Sequence, residues 1–169
     1  MKKIVMVLPE NNFRDEEFFR PLEVFEKQGI EVKTACTNAE RARGVLGAMV
    51  KPDMLVSDIK IQDFDAVVFV GGEGAAQYWD DPTAHRLVQE ALKSNKVIAA
   101  ICIAPVTLAR AGVLKGKQAT VWYSEAKQIE AGGATYAACG VKRDGKIVTA
   151  SGPADAKKFA EEIIQALAQ

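Results

Sequence analysis

A cysteine at the junction of two unlike stretches is the first candidate for chemistry. Cys102 follows the apolar, partly β-branched run Val97-Ile-Ala-Ala-Ile101 and precedes Ile103-Ala-Pro-Val-Thr-Leu108, where Pro105 suits a first helical turn. Ala100 and Ala104 stand two positions to either side. A reactive side chain on a sharp strand-to-helix turn needs small flanks, and alanine here takes the places that glycine usually holds. At a helix N-terminus the dipole favours the thiolate, which is the form that attacks carbonyls and is oxidised. The bland alternative is a thiol that only packs, since free cysteine is commonly interior. The junction by itself leaves both readings open.

Glu17 is the carboxylate placed to meet such a thiol. A helix over residues 15–28, stopped by Gly29, puts Phe18, Pro21, Leu22 and Phe25 on its core stripe and Glu16, Arg20 and Lys27 toward water. Glu17 falls at the edge of the core stripe, in the first turn, aimed back at the loop after the preceding strand. A protonated Glu17 could donate a hydrogen bond to the sulfur and stabilise its anion. Gly71-Gly72 offers backbone N–H groups to an oxyanion, with glycine allowing close approach. The run from Gly72 to Gln77 is not a dinucleotide fingerprint, because it lacks the final small residue and lies outside a first βα unit. His85, the single histidine, falls in the first turn of another helix and reads as a surface residue. One histidine and no C-x-x-C make a structural zinc site improbable, and neither metal nor cofactor is expected. Three cysteines without a close pair argue against a disulfide framework.

The elements that must position these groups follow from the apolar runs. Strands are expected at 4–8, 31–36, 66–70 and 97–101, with a short fifth at 119–123. Two more, at 136–141 and 147–150, flank a hairpin whose turn is Asp144-Gly145. Residues 45–50 and 54–56, about Lys51-Pro-Asp53, read as a small hairpin excursion. Helices are expected at 15–28, 82–93 (capped by Asp81), after Pro105, at 125–131 and at 154–168. Strands alternating with helices predict a mostly parallel sheet covered on both faces, in one domain spanning 1–169. In such sheets ligands sit beyond the carboxyl ends of the strands. The loop before Glu17, Gly71-Gly72 and Cys102 all leave those ends.

The totals exclude several partners. The 22 basic and 22 acidic side chains cancel, so nothing points to nucleic acid or an anionic membrane. No apolar run approaches the ~20 residues of a membrane helix. The start, Met-Lys-Lys-Ile-Val, runs directly into a strand, and a cytoplasmic location is expected.

Six motifs in order carry a resemblance that covers essentially the whole chain. They are Phe13-Arg-Asp-Glu-Glu-Phe-Phe-Arg-Pro21, Val70-Gly-Gly72, Ala99-Ala-Ile-Cys-Ile-Ala-Pro105, Ala111-Gly-Val-Leu114, Lys115-Gly-Lys117 and Ser151-Gly-Pro153. The chain resembles the DJ-1/PfpI superfamily. The resemblance implies a flavodoxin-like three-layer sandwich and usually a homodimer. It implies a reactive elbow cysteine, matched by Cys102, and a partner glutamate four residues before a proline, matched by Glu17. The backbone donors would be Gly72 and Ile103. The departures matter equally. PfpI-type peptidases have Cys-His-Gly at the elbow, whereas Cys102-Ile103-Ala104 stands here, so peptidase activity is not expected. In another branch a histidine approaches from the strand after the elbow helix. Its counterpart here is Trp122, or Tyr123 after a slip of one, and Trp122 can shape a pocket wall but cannot accept a proton. Three functions follow, in this order. The first is a redox-responsive stress-protection protein in which Cys102 is oxidised to sulfenic or sulfinic acid. The second is a cysteine-dependent glyoxalase, deglycase or hydrolase acting on small reactive carbonyls. The third is a non-catalytic, chaperone-like dimer with Phe19 or the 45–56 segment in its interface.

Overall fold

Apolar runs with no polar face must be covered on both sides, and four of them lie side by side at the centre of this chain. The computed structural model describes residues 1–169. In chain order the first elements are β1 (Lys3–Val7), β2 (Asn11–Phe13), α1 (Asp15–Lys27), β3 (Glu31–Cys36), β4 (Ala42–Gly44), β5 (Met49–Val50) and β6 (Met54–Leu55). Then come β7 (Ala66–Phe69), α2 (Pro82–Lys93), β8 (Val97–Ile101), α3 (Pro105–Arg110), β9 (Gln118–Ala119) and α4 (Ala126–Ala131). The chain ends with β10 (Thr135–Tyr136), β11 (Val141–Asp144), β12 (Ile147–Ala150) and α5 (Ala156–Leu167). The main sheet has seven strands in the order β11-β12-β8-β7-β1-β3-β6. Every pairing is parallel except β11 with β12 at one edge.

Alternation along the strands divides the core between two layers of helix. Val5, Val7, Val67, Phe69, Ile98 and Ala100 pack with Leu87 and Val88 of α2, Leu108 of α3 and Ile129 of α4. Ile4, Met6, Val68, Ala99 and Ile101 pack with Phe18 and Phe25 of α1 and Phe159 and Ile163 of α5. This is the three-layer α/β sandwich with a mostly parallel sheet that the sequence predicts. The caps are the ones expected where they are local. Asp81 accepts the Ala84 N–H at 2.9 Å at the start of α2, ahead of Pro82. No helix is long and apolar enough to cross a membrane.

Four local expectations are corrected. The hairpin excursion is not 45–50 against 54–56. β4 pairs antiparallel with β5 around residues 45–48, with Gly47 at φ 100°, while β6 joins the main sheet beside β3. Asp53 explains why. Its carboxylate accepts the N–H and hydroxyl of Thr34, at 2.8 and 3.1 Å, and pins the chain to the main sheet. The fifth strand is only Gln118–Ala119. The chain then turns away to follow Cys102, where the Trp122 N–H donates to the Cys102 carbonyl at 2.8 Å. Residues 136–141 are likewise not one strand but the ends of two, β10 and β11. The turn between β11 and β12 is Gly145-Lys146, with Gly145 at φ 63°.

The topology fixes where the loops meet. From β1 the chain crosses to β3 on one side, then returns to build β7 and β8 on the other. The exits of β1, β7 and β8 therefore share one end of the sheet, at the switch in strand order.

Candidate active site

Cys102 sits where β8 ends, in a left-handed backbone conformation with φ 65°. Such a conformation costs a non-glycine residue roughly 1 kcal/mol and persists only where neighbours impose it. Here the Cys102 N–H donates to Ala150 O at 2.9 Å, its carbonyl accepts from Trp122, and the Ala104 N–H returns to Ile101 O at 3.1 Å. The bond from Trp122 also holds the Cys102–Ile103 peptide plane, which carries the Ile103 N–H. Ala104, just after the turn, is buried. α3 begins only at Pro105 and is six residues long, so the helix dipole anticipated from the sequence is weak.

Glu17 comes up from α1 with none of its surface exposed. Neither carboxyl oxygen completes a hydrogen bond. Burial pushes its pKa up from 4.5 to about 8, against the pull of the Arg14 charge, the Cys102 thiol and the Gly71 N–H. The group therefore carries its proton at pH 7. Burial also pushes the Cys102 thiol up to about 12, with the charge of an ionised Glu17 as the next cause and the Gly72 and Ile103 N–H groups pulling down. When Glu17 is neutral that charge is absent. Its O–H is then a donor facing the sulfur, which leaves the thiol raised chiefly by burial.

Gly71 is the residue that lets the pair meet. A Cβ there would lie 2.6 Å from both the Cys102 Cβ and the Ile101 carbonyl, and closer still to Glu17 Oε1. Gly72 follows at φ 99°, and the Arg14 N–H donates to Gly71 O at 3.0 Å, tying the β7 exit to the start of α1.

Above the pair opens a cavity of about 390 Å³. Cys102, Glu17, Gly72, Ile103 and Trp122 all line it, so the structure brings together five of the six residues singled out from the sequence. Tyr123 is the exception. It is 72% exposed, outside the cavity, with its ring 5.1 Å from that of Trp122. Trp122 itself packs on Gly152, where a Cβ would meet Cζ3 at 2.9 Å. No histidine lines the cavity. His85 is half-buried rather than a free surface residue, with Nε2 2.7 Å from Trp79 O. Sequence reasoning missed Arg14, Asn12, Val45, Glu73 and Pro153 in the cavity wall. Arg14 and Pro153 lie within quoted motifs, so their proximity was available. Val45 arrives through the hairpin, whose pairing no local pattern reveals.

Comparisons with known proteins place the sequence and the fold. An uncharacterised protein of Methanocaldococcus jannaschii is 40% identical over 168 residues, covering 98% of this chain and 82% of the relative. A glutathione-independent glyoxalase of Caenorhabditis elegans is 27% identical, covering 98% of this chain and 89% of its own. A deglycase of Thermococcus kodakarensis is 28% identical, covering 96% and 98%. Among solved structures, the ThiJ/PfpI domain protein of Brachyspira murdochii superposes with a TM-score of 0.96 at 35% identity, over 98% of this chain and 96% of that one. The model of the DJ-1/PfpI family matches residues 2–166. With the match running from β1 into α5, the chain belongs to the DJ-1/PfpI family.

Proposed function

We propose that the chain is a cysteine-dependent enzyme acting on small reactive carbonyls, of the glyoxalase or deglycase kind. The observation that carries this reading is one cavity holding a thiol, a carboxyl group with its pKa near 8 and two backbone donors. A carboxyl tuned close to neutrality suits proton transfer in both directions. The glyoxalase and deglycase relatives support the same class.

The chemistry needs no histidine. In the fraction of molecules where Glu17 is ionised, it takes the Cys102 proton. The sulfur adds to an aldehyde carbon, and the carbonyl electron pair moves onto oxygen facing the Gly72 and Ile103 N–H groups. Glu17 returns the proton to that oxygen, giving a hemithioacetal. With a 2-oxoaldehyde, Glu17 then moves the hydrogen of that carbon to its neighbour as a proton, leaving a 2-hydroxy thioester. Water cleaves the carbon–sulfur bond, releasing a 2-hydroxy acid and the free thiol. The sum is addition of one water, without oxidant or reductant.

The expected result is conversion of methylglyoxal to lactate by the wild type, rising toward pH 8, with at least a hundredfold loss in Cys102→Ser and in Glu17→Gln. Unchanged turnover in the serine variant overturns the reading. Oxidation of Cys102, which the sequence puts first, is the second reading. The three donors around the sulfur would hold a sulfinate, but oxidation proceeds through the thiolate, and burial opposes that form. Peptide mass spectrometry after mild peroxide decides it: oxidation of the exposed Cys139 ahead of Cys102 sinks the redox role.

A further inference from the structure

The cavity holds a cation that a neutral aldehyde does not need. Arg14 lines it beside Cys102 and Glu17. Its Nε and Nη2 each hold an oxygen of Glu16 at 3.0 Å, and Glu16 is not part of the cavity wall. The guanidinium is thus anchored by a carboxylate outside the cavity, and its Nη1 donates to no group of the chain. A bidentate anchor fixes the planar fork in place, so the N–H groups it leaves over, both of Nη1 among them, keep fixed directions. Arg14 also acts by charge on both Glu17 and Cys102, so it lies within Coulomb range of the reacting atoms. The other charge facing the cavity is Glu73, an exposed side chain on the turn after Gly72. The volume of about 390 Å³ suits a molecule of a few carbons rather than a peptide.

We infer that Arg14 makes this cavity selective for small anions: 2-oxoaldehydes that also carry a carboxylate group. The carboxylate sits on Arg14 Nη1 while the carbonyl faces Gly72 and Ile103. The inference rests on the carbonyl reading above and narrows its substrate class, favouring 2-oxoaldehydes that bear a carboxylate over neutral ones.

Alkylation tests the selectivity without requiring turnover. Iodoacetate and iodoacetamide have nearly the same size and react by the same displacement of iodide, but only the first is an anion. Labelling of Cys102 and of the exposed Cys139 is followed in the same intact protein by peptide mass spectrometry, with Cys139 as the internal reference. In the wild type the iodoacetate-to-iodoacetamide rate ratio is expected to be higher at Cys102 than at Cys139, and to shrink in about 1 M salt. Arg14→Gln lowers the ratio at Cys102 by about fivefold to tenfold and leaves Cys139 unchanged. Arg14→Lys keeps the charge and retains part of the preference. Using a ratio cancels any general change in thiol reactivity caused by removing a nearby charge. An equal ratio at Cys102 in wild type and Arg14→Gln overturns the inference. Failure of both reagents to label Cys102 counts instead against the reactive thiol. In that event iodide quenching of Trp122, read in a Trp79→Phe background, decides the anion question. Weaker quenching in Arg14→Gln supports the inference, and equal quenching overturns it.

Discussion

A carboxyl group buried without a complete hydrogen bond costs stability whenever it is ionised, and Glu17 is such a group. Its proton is held more tightly in the folded chain, where the pKa is about 8, than in the unfolded chain, where it is 4.5. Below about pH 4.5 both states carry the proton and the group is neutral to folding. As pH rises from there toward 8, the unfolded chain releases it and the folded chain does not, so stability falls through that window and levels off above it. At 1.36 kcal/mol per pKa unit the loss is about 3 kcal/mol by pH 7. Glu17→Gln removes this dependence. Urea denaturation of both proteins is expected to show the variant gaining on the wild type by about 3–4 kcal/mol between pH 4 and pH 8. A difference that stays constant with pH refutes the raised pKa. The same residue marks what was legible at this scale. Helical spacing distinguishes Glu17 from Glu16, and the strand-to-helix junction distinguishes Cys102 from Cys36 and Cys139. Arg14 was not legible, because an arginine at the start of an acidic first turn reads as an ordinary solvated charge. Only the fold turns it toward the cavity.

At the scale of elements, α1 is bound to the hairpin as well as to the sheet. Asp15, buried in its first turn, accepts the Leu46 N–H at 2.9 Å and the Ala48 N–H at 3.2 Å. Gly44 leaves room for it, since a Cβ there would stand 2.6 Å from the Asp15 Cγ. One carboxylate therefore ties the β4–β5 hairpin, whose Val45 lines the cavity, to the helix that carries Glu17. Asp15→Ala leaves two backbone donors without their partner and should cost about 1–3 kcal/mol. Hydrogen exchange at the Leu46 and Ala48 amides should accelerate, and KM should rise more than kcat falls, because the wall loosens while the thiol and Glu17 stay in place. Unchanged exchange at those amides would show that Asp15 does not hold the hairpin. These contacts also explain which elements were misplaced in the sequence. Buried parallel strands announce themselves by unbroken apolar runs such as 97–101 and 66–70. Pro52-Asp53 announces only a change of direction. Whether that change closes a hairpin or sends the chain back to β3 is decided by Thr34, nineteen residues away. Residues 119–123 are apolar enough for a strand, but the free Cys102 carbonyl recruits Trp122 and ends the pairing early.

At the scale of the whole molecule, several of the large apolar side chains left exposed sit on α1 and the β4–β5 hairpin. Phe19 is 43% exposed on α1, and Leu46 and Met49 are 69% and 57% exposed on the hairpin. Asp15 joins the first turn of α1 to the hairpin at Leu46 and Ala48, so the helix that carries Phe19 and the hairpin that carries Leu46 and Met49 are neighbouring elements. Exposed apolar side chains on neighbouring elements favour association, and a second copy of the chain is the partner that the family resemblance implies. A two-fold contact through these side chains would set the partner against the hairpin and therefore near the cavity wall at Val45. Sedimentation at micromolar concentration is expected to give a dimer for the wild type. Leu46→Glu would place two like charges near the axis and strip an anchor from each side, weakening the dimer at least tenfold. If substrate turnover depends on the wall being braced from outside, KM in Leu46→Glu rises with dissociation, and falls back as protein concentration restores the dimer. A monomeric wild type excludes the arrangement. A dimer that Leu46→Glu leaves intact moves the interface to another face, where other exposed apolar side chains, such as Leu92 on α2 and Tyr123 beside Trp122, are the surfaces to test next.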